Sequence, residues 1–179
     1  TRQGSSSNQI NVETINCPKG TGVWRHYVFQ LDGTQKIYID GAEQATQVTY
    51  QTGSATTSSW ISYPNYTNPV FTLGRNDGTT DFDLDQVRFF DTALDPLEVE
   101  ALYTEELCIC DGTVDTLQVL GGGDTSCIAT YQLDGNANDL SGNYSGTPTD
   151  VSYKLGEFDL AGVFNGSRIN TPLNINNIV

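Results

Sequence analysis

Short runs of β-branched and aromatic residues alternate along the chain with clusters of Gly, Asn, Asp, Ser and Thr. Residues 23–31 read VWRHYVFQL and predict a strand. Asp32-Gly33-Thr34 predicts a turn, and the next run, KIYID, closes on Asp40-Gly41. Two such runs across a short Asp-Gly turn predict a β-hairpin. Further strands are predicted at 45–51 and 71–75, and DFDLDQVRFF predicts one long strand over 81–90. Residues 60–69 are aromatic but interrupted by Pro64 and Pro69, which suits a loop or a sheet edge. One helix is predicted over 95–105. Asp95 can cap it, Pro96 fits its first position and Glu98 supplies the reciprocal capping acid, while Leu97, Ala101 and Leu102 share a face. Beyond it, CIATYQL at 127–133, VSYKLG and LAGVFNG predict strands around the turn-rich DGNANDLSGNYSG, and Ile169 and Leu173 are candidate buried points near the C-terminus. Many short strands at regular spacing with almost no helix predict an all-β antiparallel sandwich and exclude βαβ folds.

Composition narrows this picture. Of 179 residues, 22 are acidic and 8 basic, for a net charge of −14. Such a surface repels phosphate backbones, so no nucleic-acid partner is expected. No apolar run approaches 18 residues, so no membrane insertion is expected. The chain contains no methionine. Thr1 is therefore not the residue where translation began, and a processed product, a fragment or the ordered part of something longer is expected. The four cysteines, Cys17, Cys108, Cys110 and Cys127, form no CxxC, and His26 is the one histidine, which disfavours zinc. A bridge from Cys108 or Cys110 to Cys127 would close a modest loop in an oxidising compartment. The alternative is buried or free thiols. Residues 107–126, with Gly121-Gly122-Gly123, form the best linker candidate.

The stretch 22–41, GVWRHYVFQLDGTQKIYIDG, resembles the middle of laminin-G-like, concanavalin A-like jelly-roll domains. Residues 73–104, LGRNDGTTDFDLDQVRFFDTALDPLEVEALYT, resemble the closing part of such a domain: an LGR-type strand, a D-x-V-R strand and a short E-V-x-x-L-Y helix. Residues 129–167, with YQLDGNANDLSGN, YKLGEF and AGVFNGS, resemble the opening part. The resemblance implies an antiparallel jelly-roll β-sandwich in which 1–106 is a closing part, 107–126 a linker and 127–179 an opening part. Three arrangements follow: the opening part completes the sandwich within its own chain by permutation, a neighbouring chain or repeat completes it, or the chain is a segment of a tandem array. Tandem domains joined by Cys-containing linkers look most like virion and fibre proteins of marine bacteriophages. This implies an extracellular or virion-surface location and partners that are copies of itself, other fibre subunits or glycans.

Candidate chemistry is sparse. Asp81, Asp83 and Asp85 alternate on the predicted strand and so share a face. The spacing echoes the acids of related β-glucanases, which work as a nucleophile and an acid/base about 5–5.5 Å apart. That motif has glutamates at its outer positions, however, so no catalytic residue is assigned and glycoside hydrolysis stays the remote alternative. Calcium is the cofactor the acids suit, because hard oxygen ligands bind it. The candidates are Asp134, Asn136 and Asp139 in the opening turn and Asn76, Asp77 and Asp81 in the late loop. The same residues are ordinary turn formers. Trp24 and His26 lie two apart on one strand. They read as a sugar-stacking face or, with Trp24 opposite Tyr38, as core packing. Trp60, Tyr63 and Tyr66 are the candidate contact surface for a sugar or a partner. The expected function is that of a non-catalytic structural and adhesion module, with a calcium-dependent carbohydrate-binding module as the alternative.

Overall fold

The computed structural model describes residues 2–5, 8–18, 22–30, 35–52, 70–74, 81–104 and 127–174. They form two compact units, one from Thr1–Asn65 with Thr92–Asp124, the other from Tyr66–Asp91 with Thr125–Val179. The first unit holds strands β1 (Arg2–Ser5), β2 (Asn8–Thr14), β3 (Tyr27–Gln30), β4 (Lys36–Ile39), β5 (Ala42–Glu43) and β6 (Thr46–Thr52), and helix α1 (Pro96–Tyr103). The second holds β7 (Val70–Gly74), β8 (Asp81–Leu84), β9 (Val87–Phe90), β10 (Cys127–Tyr131), β11 (Thr147–Thr149), β12 (Ser152–Leu155), β13 (Leu160–Asn165) and β14 (Arg168–Asn174). Every strand pair between described residues is antiparallel. The described residues are therefore β-strands with a single short helix, as the run spacing predicts.

In the first unit the strands form two sheets, ordered β1-β2-β6 and β3-β4-β5. Asp40 (φ 51°) and Gly41 (φ 80°) both take the left-handed conformation between β4 and β5. A two-residue turn of this kind matches the twist of its strands, which is why Asp-Gly signals it. The turn is also close-packed: a Cβ on Gly41 would sit 3.0 Å from the Tyr103 ring of α1. Central strand β4 is buried on both faces through Ile37, Tyr38 and Ile39. Strand β3 begins at Tyr27, four residues later than the sequence pattern predicts. Tyr38 lies opposite Val28, so the expected Trp24–Tyr38 pair is not formed. The Asp40 carboxylate accounts for the late start: it accepts from the His26 backbone N–H at 3.1 Å and pairs with the Arg25 guanidinium. Arg25 and His26 are thereby tied to the turn, where the Asp40 N–H also donates to the His26 carbonyl at 2.9 Å.

Helix α1 is built as its cap predicts. Asp95 accepts from the N–H groups of Leu97 and Glu98 at 2.8 and 2.9 Å, and Glu98 accepts from the Asp95 N–H at 2.7 Å. The buried face differs from expectation. Leu97 is 74% exposed, Ala101 is exposed, and Val99, at 0%, is the residue that is buried. In an eight-residue helix one inward position suffices, and the tilt of the helix, not the apolar count, selects it.

The second unit contains three sheets, ordered β11-β14-β7, β12-β13-β8 and β10-β9. Period-2 burial is clear along β14, where Ile169, Thr171 and Leu173 point inward. Ile169 and Leu173 meet Leu73, Ala129, Tyr131, Leu133, Ala137 and Phe164 in one cluster, with Phe71, Phe82, Leu84 and Phe89 packed against it. Phe82 lies opposite Phe164 with ring centroids 5.3 Å apart, and Phe71 meets Phe89 edge-on at 4.6 Å. Burying each large apolar side chain contributes about 1.5–3 kcal/mol. The core admits no extra volume beside Gly74 (φ 77°), where a Cβ would come within 2.4 Å of Phe164.

The predicted single strand 81–90 is instead two strands. Asp85 turns its carboxylate to the Phe158 N–H at 2.8 Å, and Gln86 takes φ 49°. The chain thereby leaves the sheet of β13 and joins that of β10. Strands β1, β2 and β11 lie outside the strands the sequence pattern predicts: they are rich in Asn, Gln and Thr, and only β2, with Ile10 and Val12, carries an apolar alternation.

Candidate functional site

The acids of the opening turn organise backbone. Asp139 is 3% exposed and its Oδ1 accepts from the Thr130 N–H at 2.8 Å. Its Oδ2 accepts from the Ser141 hydroxyl and from the Tyr144 N–H. Burial pushes its pKa up, but these hydrogen bonds outweigh burial and hold it below the usual carboxylate value. Asn136 Oδ1 accepts from the Asn138 N–H at 2.8 Å, and Asn136 Nδ2 donates to the Asp134 carbonyl. Asp134 Oδ1 accepts from the Leu160 N–H at 2.9 Å. The turn is thus pinned onto β10 and β13. Tyr131 closes it from below, donating its hydroxyl to the Tyr144 carbonyl at 2.7 Å, with burial pushing its pKa up to about 12.

Asp134 and Asn136 thus each accept a backbone N–H at one side-chain oxygen, and Asp139 does so at both. Among the described residues, no cluster of three or more His, Cys, Asp or Glu is placed to hold a metal ion. Asp81 is exposed at the start of β8; Asn76 and Asp77 lie outside the described residues. Asp83 pairs with Lys154 at 2.7 Å. Asp85 lies beyond the end of β8, so the three alternating aspartates do not act as one set. Asp85 is the more unusual group. Burial raises its pKa and the nearby Asp134 charge adds to the rise, while backbone N–H groups, Phe158 foremost, oppose it. Its Oδ1 is buried without a well-formed hydrogen bond.

Trp60, Tyr63, Tyr66, Cys108 and Cys110 also lie outside the described residues. The Cys127 thiol is free and lies 3.3 Å from the Thr130 hydroxyl. Trp24 is half-buried, and the His26 ring lies beside Tyr103, with centroids 6.0 Å apart.

A different aromatic pair stands out. Tyr27 and Phe29 point to one face of β3 and are 44% and 51% exposed. Their rings are nearly parallel, 5° apart, with centroids at 6.2 Å. Opposite them in β4, Ile39 and Ile37 are buried. Strand β3 is an edge: among the described residues it pairs only with β4. The result is an exposed, stacked aromatic pair on a strand whose second edge has no partner among the described residues. The period-2 spacing of VWRHYVFQL places Tyr27 and Phe29 on one face, but the pattern alone does not show that this face stays exposed, and the sequence reading gives the contact role to Trp60, Tyr63 and Tyr66.

A laminin-G-type family model, described as the concanavalin A-like lectin/glucanases superfamily, matches residues 2–100. No curated protein and no solved structure matches the chain.

Proposed function

The chain belongs to the concanavalin A-like lectin/glucanases superfamily, and from that premise we propose that it is a non-catalytic structural and adhesion module of an extracellular or virion assembly. The observation that carries this reading is the exposed Tyr27–Phe29 strip on edge strand β3. Aromatic faces supply contact area for a sugar ring or an apolar pocket, and an unpaired edge supplies backbone donors and acceptors. The acids support the non-catalytic part. Retaining hydrolysis needs two carboxyl groups facing a substrate about 5–5.5 Å apart, whereas Asp83, Asp85, Asp134 and Asp139 are occupied by Lys154 and by backbone N–H groups. Glycan-array binding, with and without chelator, tests the reading. The double variant Tyr27→Ala/Phe29→Ala is expected to lose tenfold or more of any binding at unchanged melting temperature. Binding that survives the double variant would remove the strip from the contact, and release of reducing ends from a bound glycan would end the non-catalytic reading.

A calcium-dependent carbohydrate-binding module is the second reading, and one observation favours it. Asp85 Oδ1 is buried without a good partner while the Asp134 charge is close enough to disfavour ionisation. A hard cation between the two would relieve both. A rise in melting temperature with calcium, reversed by chelator and absent in Asp85→Asn, is the expected result on this reading.

A further inference from the structure

Strands β7, β8 and β9 make no pairs with one another among the described residues. Each takes its partner from the C-terminal segment: β7 from β14, with Leu73 opposite Ile169; β8 from β13, with Phe82 opposite Phe164; and β9 from β10, with Arg88 opposite Thr130. The core has the same division. Leu73, Phe71, Phe82, Leu84 and Phe89 on one side are covered by Tyr131, Leu133, Phe164, Ile169 and Leu173 on the other. Polar links also cross the division, with Asp85 accepting from the Phe158 N–H and the Thr171 hydroxyl donating to the Phe71 carbonyl at 2.9 Å. Each sheet of the second unit ends, among the described residues, on one strand from 70–90 whose only partner comes from 127–174. Residues 105–126, with three consecutive glycines, separate the closing strands and α1 from the donor.

We propose that residues 127–174 are an exchangeable donor segment, which completes the second unit either in its own chain or in a second copy of this chain. Every pair and core contact named above is the same in the two forms, so only the tether and the local concentration choose between them. The covalent link keeps the donor at a high local concentration beside its own acceptor strands. The closed chain therefore dominates in dilute solution, and exchange takes over where copies are crowded in an assembly. The setting rests on the assembly reading above, but the mechanism does not: a copy with no glycan or partner still carries the donor and its acceptor strands.

The test uses the full chain with a protease site replacing residues 114–119, cut after purification. The two pieces are expected to stay together as a one-to-one pair on native mass spectrometry. Cut protein is then mixed with an equal amount of its 15N-labelled form and held in denaturant below the unfolding midpoint. Mixed pairs of light and heavy pieces are expected to approach about half of the total, the statistical limit for free exchange. Ile169→Val, which loosens the shared core, is expected to speed their appearance, while Asp95→Ala, in the cap of α1, leaves the rate unchanged. Pieces that part on cutting would overturn the donor outright. Pairs that hold but never mix would overturn exchange and leave the adhesion reading standing. Lost contact at the Tyr27–Phe29 strip with intact mixing would be the reverse result.

Discussion

The two units solve the same problem, closing antiparallel sheets, with different chain economies. In the first unit, β1 and β2, β3 and β4, and β4 and β5 are consecutive strands, and β2–β6 is the one distant pair among the described residues. In the second, three of the five pairs join segments far apart, and their side-chain links span 73 and 100 residues. Local hairpins lose little entropy on closing, whereas distant pairs must first bring the segments together. The second unit offsets that cost with the larger core among the described residues and with the Asp85 carboxylate, which bonds backbone across the division. The first relies on tight turns and a capped helix. Position in sequence therefore says little about which unit a strand stabilises: β9 and α1 are near neighbours in the chain, yet they belong to different units.

The sharpest way to break this contrast is through the second core. Phe164→Ala should cost about 3–5 kcal/mol, because Phe164 is 1% exposed and packs on Phe82. Chemical unfolding followed at probes in both units should show the second unit melting early and the first unchanged. Coincident early melting would mean that the units unfold as one. Asp139→Ala comes next, at about 1–3 kcal/mol, because it leaves the buried Thr130 N–H without its acceptor. The sign with pH is fixed. The folded pKa of Asp139 lies below its unfolded value, so its stabilisation is present above the usual carboxylate range and is lost as pH falls through the folded value. The difference between wild type and variant should shrink in acid.

Asp95→Ala tests the first unit. Removing the reciprocal cap should cost about 1 kcal/mol and lower the helical signal with little effect on the second unit. The smallest expected effect is that of Asp85→Asn, and its value lies in its sign. Burial raises the folded pKa of Asp85, so ionisation costs the fold stability as pH rises through that value. Without calcium the variant should be as stable as wild type or more so at pH 7, with the advantage vanishing in acid. A melting temperature that drops only when calcium is present would instead place a cation at Asp85.

Some features were legible because they are local. The cap at Asp95, the Asp40-Gly41 turn and the inward Ile169 and Leu173 each depend on residues within one turn or one strand. The break at Asp85-Gln86 was not legible, because its cause is the N–H of Phe158, far away in sequence. The helix face was misread at Leu97 for a similar reason: which side of a short helix is buried is set by what packs on it. Among candidate sites, the sequence picked out Asp134, Asn136 and Asp139 but not their backbone partners: Leu160, which bonds Asp134, is 26 residues away.

Residue pattern by itself determined the class: short alternating runs with Asp-Gly and Asn-Gly punctuation commit the chain to antiparallel strands, and one capped segment to a helix, since both depend on near-neighbour sterics and hydrogen bonds. Only the tertiary structure decided which strands are partners, which acids become staples, and that Tyr27 and Phe29 remain outside. Those outcomes depend on register and burial between distant segments, and burial is a property of the whole packed unit rather than of any stretch of chain.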